Sequence, residues 1–146
     1  MAADSLVAGK TYYFKLRVTN ESGLWSLFSD ILMVGLGAAP LAPTSIRHEL
    51  SLTGTDSIGI AWDAASDTDL PILGYRVFAR AQTSSQMALV LDTSLLHPGR
   101  DTILAFSLKN AGLGQTYIVQ MGSVNINGMG LVSDTVSLKS CVALDK

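Results

Sequence analysis

Residues 114–128 read Gly-Gln-Thr-Tyr-Ile-Val-Gln-Met-Gly-Ser-Val-Asn-Ile-Asn-Gly, and they repeat a pattern that begins near the start of the chain. The offset between matching residues is constant until a single residue is deleted close to the end of the pattern. An offset of roughly 100 residues is the size of one immunoglobulin-like domain. The matching segments are Gly9-Lys-Thr-Tyr12 with Gly114-Gln-Thr-Tyr117, Asn20 and Gly23 with Asn125 and Gly128, and Ser29-Asp30 with Ser133-Asp134.

Apolar residues alternate with period two along most of the chain, as in half-buried β-strands. The clearest run places Tyr12, Phe14, Leu16 and Val18 on one face of a predicted strand. Turn-forming clusters of Gly, Asn, Asp and Ser separate the runs, which predicts an antiparallel all-β sandwich or barrel. A 3.6-residue period is not sustained anywhere, so we expect no long helix. Further runs begin at Ile58, Tyr75, Leu104 and Tyr117.

The repeat divides the 146 residues into one complete unit and part of another. Residues 1–36 are predicted to be the end of the first unit, and residues 37–42 a short linker. Residues 43–140 form the complete unit, and residues 141–146 are a tail. A unit of about 100 residues buries enough apolar surface to fold without a disulfide or a metal.

The complete unit resembles a fibronectin type III domain. Ser57-Ile-Gly-Ile-Ala-Trp62 resembles its strand B with the core tryptophan, and Leu73-Gly-Tyr75-Arg-Val77 resembles its strand C. Gly114-Gln-Thr-Tyr117 resembles the tyrosine corner before strand F. The resemblance implies an antiparallel, immunoglobulin-like β-sandwich in which Trp62, Tyr75 and Tyr117 are structural. Two residues depart from the family pattern: His48 stands where strand A usually places an apolar residue, and Ala111 stands where a leucine usually precedes the second corner.

Leu6-Val-Ala-Gly9-Lys-Thr-Tyr12 resembles the same corner in the first unit, which makes residues 1–36 its last two strands, F and G. The resemblance implies that the ring of Tyr12 packs in a core while its hydroxyl bonds to nearby backbone. We expect strands over residues 11–19 and 29–36. An isolated hairpin is marginal in water, so its apolar face needs a cover. Two alternatives remain open: packing against the complete unit, or pairing with a second copy of the chain in a homo-oligomer.

Trp25-Ser-Leu-Phe-Ser29 resembles a degenerate form of the Trp-Ser-x-Trp-Ser signature of cytokine receptors. In that signature, aromatic rings and cationic residues of strand F stack as a ladder, and Lys15 and Arg17 are the candidates here. Phe28 replaces the second tryptophan, and receptor-type cysteine pairs are absent from the sequence. The alternative is an ordinary F–G connection with an aromatic plug.

Two further patterns have structural alternatives. Asn20-Glu-Ser22 is a sequon for N-glycosylation, although such tripeptides also arise by chance. Asp63, Asp67 and Asp69 are close in sequence and could hold Ca²⁺, but their spacing fits no EF-hand loop. Support of the bend before Pro71 by Asx turns is the simpler explanation.

Composition and motifs exclude several function classes. The net charge is −2 and basic residues are scattered, so we expect no nucleic-acid partner. The longest apolar stretch is short and interrupted by Gly and Pro, so we expect no membrane insertion of this segment. Neither a nucleophile elbow nor a phosphate-binding loop occurs. Two histidines and the single Cys141 lack the spacing of a zinc site. We therefore predict no enzymatic activity and no cofactor.

The sequence favours a structural or adhesive, protein-binding segment of an extracellular or cell-surface multi-repeat protein. An accessory module of a larger enzyme and a receptor ectodomain fragment are the alternatives, and the fold fits all three. The identity of the protein partner does not follow from the sequence. Two loops are predicted to lie at one end of the sandwich and to bind the protein partner. The first loop would use Asp67 and Asp69, and the second would use Asn127 and an exposed Met129.

Overall fold

The computed structural model describes residues 5–95, 101–107 and 114–140. These residues form ten β-strands and one short 3-10 turn at Leu50–Leu52. The strands are β1 (Thr11–Phe14), β2 (Leu32–Gly35), β3 (Thr44–His48), β4 (Ser57–Asp63), β5 (Gly74–Ala81), β6 (Ala88–Asp92), β7 (Ile103–Ser107), β8 (Thr116–Asn125), β9 (Gly128–Val132) and β10 (Val136–Lys139). Across the described ranges, no helix has the length and apolar character needed to cross a membrane.

The complete unit is a sandwich of two antiparallel sheets. One sheet has the order β3-β4-β7, and the other has the order β10-β8-β5-β6, with β9 also paired to β8. The longest ladder joins β5 and β8 through eight pairs, from Gly74↔Val124 to Ala81↔Tyr117. The predicted all-β sandwich is therefore confirmed. The alternating sequence pattern succeeded because each strand has one face on the core.

The core lies between the two sheets and is filled by residues of the alternating runs. Trp62 of β4 and Tyr75 of β5 are each 1% exposed, and their rings meet edge to face with centroids 5.1 Å apart. Val77 and Met121 are fully buried beside them. Burial of each such side chain contributes about 1.5–3 kcal/mol, so this cluster is the main source of stability.

Residues 5–36 form a separate two-stranded element, the N-terminal hairpin. Its regular ladder runs only from Thr11↔Gly35 to Phe14↔Leu32, so the predicted strands over 11–19 and 29–36 were too long. Beyond Phe14, serine hydroxyls replace backbone carbonyls as acceptors and interrupt the ladder. The two chain segments nevertheless stay together as far as the bridge between Thr19 and Trp25.

The apolar face of the N-terminal hairpin is not covered by the complete unit. Phe14, Leu16 and Val18 are 48%, 68% and 62% exposed. The first of the two predicted covers, packing against the complete unit, is therefore wrong. Among the residues that the structure describes, the complete unit meets the hairpin at its base, around Gly9 and Gly35. Pairing with a second copy remains a prediction.

A tyrosine hydroxyl fixes the entry to β1. Tyr12 Oη accepts a hydrogen bond of 2.8 Å from the Val7 backbone N–H, and Gly9 makes the tight turn between them with φ +84°. The Tyr12 ring is half-buried beside Phe14 rather than in a core, because no second sheet of the described part of the chain covers this face. Gly114 repeats the positive φ before Tyr117, while Ala111 lies outside the described residues.

His48 sits in β3 opposite Ile60 and is half-buried. Its Nε2 lies 2.9 Å from Thr53 Oγ1, and Thr53 Oγ1 also accepts from the Gly59 backbone N–H. The polar ring is thus accommodated in a position where the fold usually places an apolar residue.

Candidate functional site

The two predicted binding loops do lie at the same end of the sandwich, and that end holds the preceding hairpin. Asn127 occupies the tight turn between β8 and β9, where Asn125 Oδ1 accepts from the Asn127 backbone N–H at 2.9 Å. The Asn127 side chain then faces Gly35, the last residue of β2. Its Oδ1 accepts from the Gly35 N–H at 2.8 Å, and its Nδ2 donates to the Gly35 C=O at 2.6 Å.

The backbone of Gly35 is available to Asn127 because of the strand register. Lys10 C=O accepts from the Leu36 N–H, so in the antiparallel alternation the N–H and C=O of Gly35 point away from β1. Asn127 supplies one donor and one acceptor side by side, as the next β-strand would. The amide therefore acts as a one-residue substitute for a third strand.

Apolar packing supports this clamp. A Cβ on Gly35 would lie 2.5 Å from Ile126 Cγ2 and 2.9 Å from Leu70 Cδ1. A Cβ on Gly37 would lie 2.8 Å from Leu70 Cγ. A side chain at either position would therefore push Leu70 or Ile126 out of place, because these residues fill the space next to the linker. Leu70 is 2% exposed, which shows how closely the linker covers it.

Polar groups of the complete unit also hold the linker backbone. Asp69 Oδ2 accepts from the Ala38 N–H at 3.3 Å, and Asn125 Nδ2 donates to the Ala38 C=O at 3.3 Å. Further along, buried Pro40 lies against Gly130 of β9. The segment that the sequence suggested was a simple linker is thus docked along its length. We call Gly35–Pro40 and its contacts on the two loops the junction.

The predicted binding residues divide as follows. Asp67 Oδ1 accepts from the Ile72 N–H at 2.9 Å and braces its own loop. Asp69 and Asn127 belong to the junction. The prediction of an exposed Met129 in a loop is wrong, because Met129 is half-buried in β9, paired with Val124 and lying over Gly122. Binding of an external protein by these four predicted residues stays a prediction.

The sequence did not indicate Gly35 and Gly37 as contact residues. Glycine beside a strand end signals close approach of another chain segment, but linkers also contain glycine for flexibility. The repeat offered a second signal, since the corresponding end of β10 carries Lys139 where β2 carries Gly35. That difference could have suggested that only one of the two ends is docked.

A stack of cations and aromatic rings covers the other face of the N-terminal hairpin. The Arg17 guanidinium lies 4.4 Å from the centre of the Trp25 ring and 4.8 Å from that of Phe28. Lys15 Nζ lies 4.4 Å from the centre of the Phe28 ring. The order along the stack is therefore Trp25, Arg17, Phe28, Lys15, which we call the cation ladder. The stacking expected from the degenerate signature is present.

Serine hydroxyls hold the segment that carries Lys15 and Arg17 in place. Leu16 N–H donates to Ser29 Oγ and Val18 N–H donates to Ser26 Oγ, each at 2.9 Å. In return the backbone N–H groups of Ser29 and Ser26 donate to the carbonyls of Leu16 and Val18 at 2.7 Å. Each serine therefore satisfies both backbone groups of its partner residue, and this pairing accounts for the two serines of the motif.

Asn20 has a clear structural role in the turn of the N-terminal hairpin. Its Oδ1 accepts from the backbone N–H groups of Ser22 and Leu24, both at 3.0 Å. Asn125 Oδ1 likewise accepts from the backbone N–H two residues on, at Asn127, so turn formation explains why asparagine occurs in both repeats. Asn20 is exposed, and its glycosylation stays a prediction.

The three aspartates proposed for Ca²⁺ have separate partners. Asp63 pairs with Arg47 at 3.2 Å, while Asp67 and Asp69 bind the backbone groups given above. In residues 5–95, 101–107 and 114–140, no three His, Cys, Asp or Glu side chains are grouped to hold a metal ion. His97 and Cys141 lie outside the described residues.

The pKa of Asp92 is lowered, and the role of this carboxyl is structural. Burial of Asp92 acts to raise its pKa, but hydrogen bonds from Ser94 and Arg76 outweigh burial and hold the pKa below the usual value. The Arg76 Nε to Asp92 Oδ2 distance is 2.9 Å. This ion pair fastens β6 to β5, and the ionised carboxylate is not placed as a general acid.

Neither a protein-family model nor a curated protein sequence matches the chain. Solved structures do match. A crystal structure of titin domains aligns with a TM-score of 0.61 and 19% identity, over 77% of this chain and 37% of that one. The FN1–FN3 domains of chicken CNTN1 align with a TM-score of 0.61 and 15% identity, over 97% of this chain and 46% of that one. The present chain thus spans less than half of either of these structures.

A single domain matches as well. The solution structure of the fibronectin type III domain of human fibronectin type III domain containing protein 3 has a TM-score of 0.54 and 19% identity. That alignment covers 71% of this chain and 88% of that one. At identities of 15–19%, these structural alignments show the fold alone. The chain therefore has the antiparallel sandwich fold of a fibronectin type III domain.

Proposed function

We propose that this chain is a non-catalytic structural and protein-binding module of a multi-unit protein, and that its complete unit holds the preceding hairpin in a fixed orientation. The observation that carries the proposal is the paired hydrogen bonding of Asn127 to Gly35. A side chain that binds both backbone groups of one residue restrains rotation as well as separation. Neighbouring units in a chain otherwise move relative to each other unless their interface is large and apolar.

The rest of the junction supports a fixed orientation. Leu70 and Ile126 leave no room for a side chain at Gly35, and Asp69 and Asn125 hold Ala38 from two sides. A hinge would have few such contacts. A module of this kind transmits geometry from one unit to the next, which is the task of a spacer.

The comparisons give further support. The alignment with a three-domain segment of CNTN1 covers 97% of this chain and so includes most of the N-terminal hairpin. The alignment with a single fibronectin type III domain covers 71%. The added coverage is in keeping with a hairpin placed as the end of a preceding unit.

An extracellular or cell-surface site of action and a role in adhesion are the finer parts of the proposal. They are supported by the exposed Asn20 sequon. Removal of N-glycans from the protein taken from its natural source should reduce its mass, and Asn20→Gln should abolish the difference. An unchanged mass argues against glycosylation at Asn20 and removes this support for the secretory pathway.

A receptor ectodomain fragment is the second candidate, and the cation ladder favours it. The full-length polypeptide distinguishes the two candidates. A single membrane-spanning helix and cysteine pairs favour the receptor, whereas a run of further units of about 100 residues favours the spacer.

Residual dipolar couplings test the fixed orientation directly. In the 146-residue chain, backbone couplings of β1 and β2 should fit the same alignment tensor as those of β4, β5 and β8. Asn127→Ala removes both hydrogen bonds to Gly35, so the couplings of the hairpin should shrink while those of the sandwich stay unchanged. Asn127→Asp keeps the acceptor, loses the donor and should give an intermediate result.

Ser22→Ala is the matched control, because Ser22 occupies in the first repeat the place of Asn127 in the second. It should leave both sets of couplings unchanged. Hairpin couplings that are already scaled down in the unmodified chain contradict the proposed function. Couplings that do not respond to Asn127→Ala contradict the role given to that residue.

A further inference from the structure

Asn127, the residue that holds the end of β2, is followed by a glycine. Asparagine is among the chemically labile residues of proteins, because the backbone nitrogen of the next residue can attack its side-chain amide carbon. A side chain on that next residue hinders the attack, and glycine has none. The other three asparagines of the sequence precede larger residues, which are Glu21, Ala111 and Ile126. Asn127 is therefore the asparagine most open to this reaction.

The turn around Asn127 leaves room for the reaction. Gly128 has φ +121°, a conformation that favours glycine, and a Cβ built on it would meet no described atom within 4 Å. Asn127 is exposed, so water reaches its amide. In the first repeat the corresponding pair is Ser22-Gly23, which has the glycine but no amide. The turn of the second repeat alone combines the two groups.

The junction restrains the amide that would react. Asn127 Oδ1 accepts from the Gly35 N–H at 2.8 Å, and Nδ2 donates to the Gly35 C=O at 2.6 Å. For the Gly128 nitrogen to bond to Asn127 Cγ, the amide must turn away from Gly35 and release both hydrogen bonds. The reaction therefore begins from the open junction, and the closed junction protects Asn127.

The reaction needs only the chain and water. The Gly128 nitrogen forms a bond to Asn127 Cγ, the Cγ–Nδ2 bond breaks, and the proton of the Gly128 N–H leaves with Nδ2 as ammonia. Water then adds to one of the two carbonyl carbons of the resulting succinimide ring. Ring opening gives an aspartate, or an isoaspartate in which the main chain runs through the former side-chain carbon.

Both products fit the junction worse than the amide does. An ionised carboxylate accepts hydrogen bonds but donates none, so the Gly35 C=O loses its donor. A negative oxygen then lies near the Gly35 carbonyl oxygen, in the place that Nδ2 held. The isoaspartate also lengthens the two-residue turn between β8 and β9 by one backbone atom. Deamidation therefore weakens the attachment of β2 to the complete unit.

We propose that Asn127 is a deamidation site controlled by the junction. The closed junction protects the amide, and reaction after an opening leaves a junction that no longer closes fully. The chain thus passes irreversibly from a fixed to a mobile N-terminal hairpin, at a rate set by how often the junction opens. This inference rests on the proposed function, because it requires a junction that is closed most of the time.

Incubation of the 146-residue chain in mildly alkaline buffer, followed by peptide mass mapping, tests the proposal. A peptide of residues 121–132 is the unfolded reference, and Asn127 should react at least about tenfold more slowly in the folded chain. Gly35→Ala forces the end of β2 away and should raise the rate at least about threefold. Gly54→Ala is the matched control. It lies at the other end of the sandwich, where the added Cβ meets only Ser57 Oγ at 3.1 Å and the Asp56 carboxylate at 3.8 Å, so the rate should not change.

A second variant keeps the test decisive if Gly35→Ala disturbs folding. Asp69→Ala removes the acceptor of the Ala38 N–H and should give a smaller increase in rate, with the sandwich amide spectrum unchanged. The deamidated chain, separated by its added negative charge, should then show reduced residual dipolar couplings in β1 and β2. The couplings of β4, β5 and β8 should stay as they were.

Three results would overturn the inference. The first is no faster reaction in either Gly35→Ala or Asp69→Ala. The second is reaction at Asn20 or Asn125 as fast as at Asn127. The third is a deamidated chain with undiminished hairpin couplings.

A fourth contrary result is reaction of the unmodified chain as fast as the peptide, and the couplings of that chain then separate two failures. Full hairpin couplings together with fast reaction overturn the protection of Asn127 and leave the proposed function standing. Hairpin couplings that are already scaled down overturn both.

Discussion

Two hairpins of this chain share one sequence pattern but are stabilised from opposite faces. In the C-terminal hairpin, formed by β8 with β9 and β10, the apolar face is buried in the sandwich. In the N-terminal hairpin that face is exposed, and the cation ladder lies on the other side. The second repeat has no ladder, since Gln120 and Gly122 stand in place of Lys15 and Arg17.

The comparison shows how a strand pair can be held without a core. A core stabilises through apolar area removed from water, which amounts to about 1.5–3 kcal/mol for each large side chain. A ladder of exposed cation–π contacts contributes about 0.5–1 kcal/mol for each contact. The serine bonds of Ser26 and Ser29 add a local restraint. The N-terminal hairpin is therefore expected to open far more readily than the sandwich.

The largest contrast should appear on the two apolar faces. Met121→Ala leaves a cavity in the core and should lower the free energy of unfolding by about 2–5 kcal/mol. Leu16→Ala, at the matching position of the N-terminal hairpin, should change it by less than about 0.5 kcal/mol. Urea unfolding followed by circular dichroism measures both. A large loss for Leu16→Ala would show that the apolar face of this hairpin is covered in solution.

The second largest contrast in stability is expected between the matched serines, Ser133 and Ser29. Ser133 Oγ accepts from the N–H of buried Met121 at 3.1 Å, just as Ser29 Oγ accepts from the N–H of Leu16. Ser133→Ala leaves a buried donor unpaired and should cost about 1–3 kcal/mol. Water can replace the hydroxyl in Ser29→Ala, so that variant should cost under about 0.5 kcal/mol. Equal losses in urea unfolding would contradict this account.

Val18 and Ser123 occupy matching positions of the two repeats, and a substitution at Ser123 is expected to stabilise the protein. Ser123 is fully buried, and its hydroxyl has no hydrogen-bond partner in the described part of the chain. Ser123→Ala should therefore raise the free energy of unfolding by about 1 kcal/mol. Val18→Ala on the exposed face is the control and should have little effect. A loss of stability in Ser123→Ala would mean that the hydroxyl is satisfied.

The cation ladder should give the smallest effect. Arg17→Gln removes the cation from both the Trp25 and the Phe28 ring and should destabilise the N-terminal hairpin by about 1 kcal/mol. Faster amide exchange at Val18 and Ser26 would report it, with the sandwich amides unchanged. Gln120→Ala, at the position of Lys15 in the second repeat, is the control. Unaltered exchange in Arg17→Gln would show that the serine bonds alone hold the strands.

Local patterns allowed much of the fold to be predicted. Alternation placed Trp62, Tyr75 and Met121 in strands, and all three are buried in the core. The positions of Lys15 and Arg17 on one strand face, with aromatic residues just after the turn, also indicated the ladder. These features are separated by few residues or follow a fixed period, so sequence spacing carries them.

The junction could not be predicted in this way. Asn127 was predicted to bind an external protein, and its side chain instead holds Gly35, which lies 92 residues earlier in the chain. Met129 was assigned to a loop because the turn before β9 is only two residues long and its boundary is not visible in the pattern. Contacts at such separation depend on how complete elements dock.

The sequence by itself determined the alternating strands, the repeat, the turn asparagines and the residues of the ladder, because each depends on backbone geometry within a few residues. The tertiary structure alone decided that one apolar face is buried and its repeat exposed, and that two loops hold a strand end. Those outcomes depend on which surfaces meet when sheets pack, and burial is a property of the assembled surfaces.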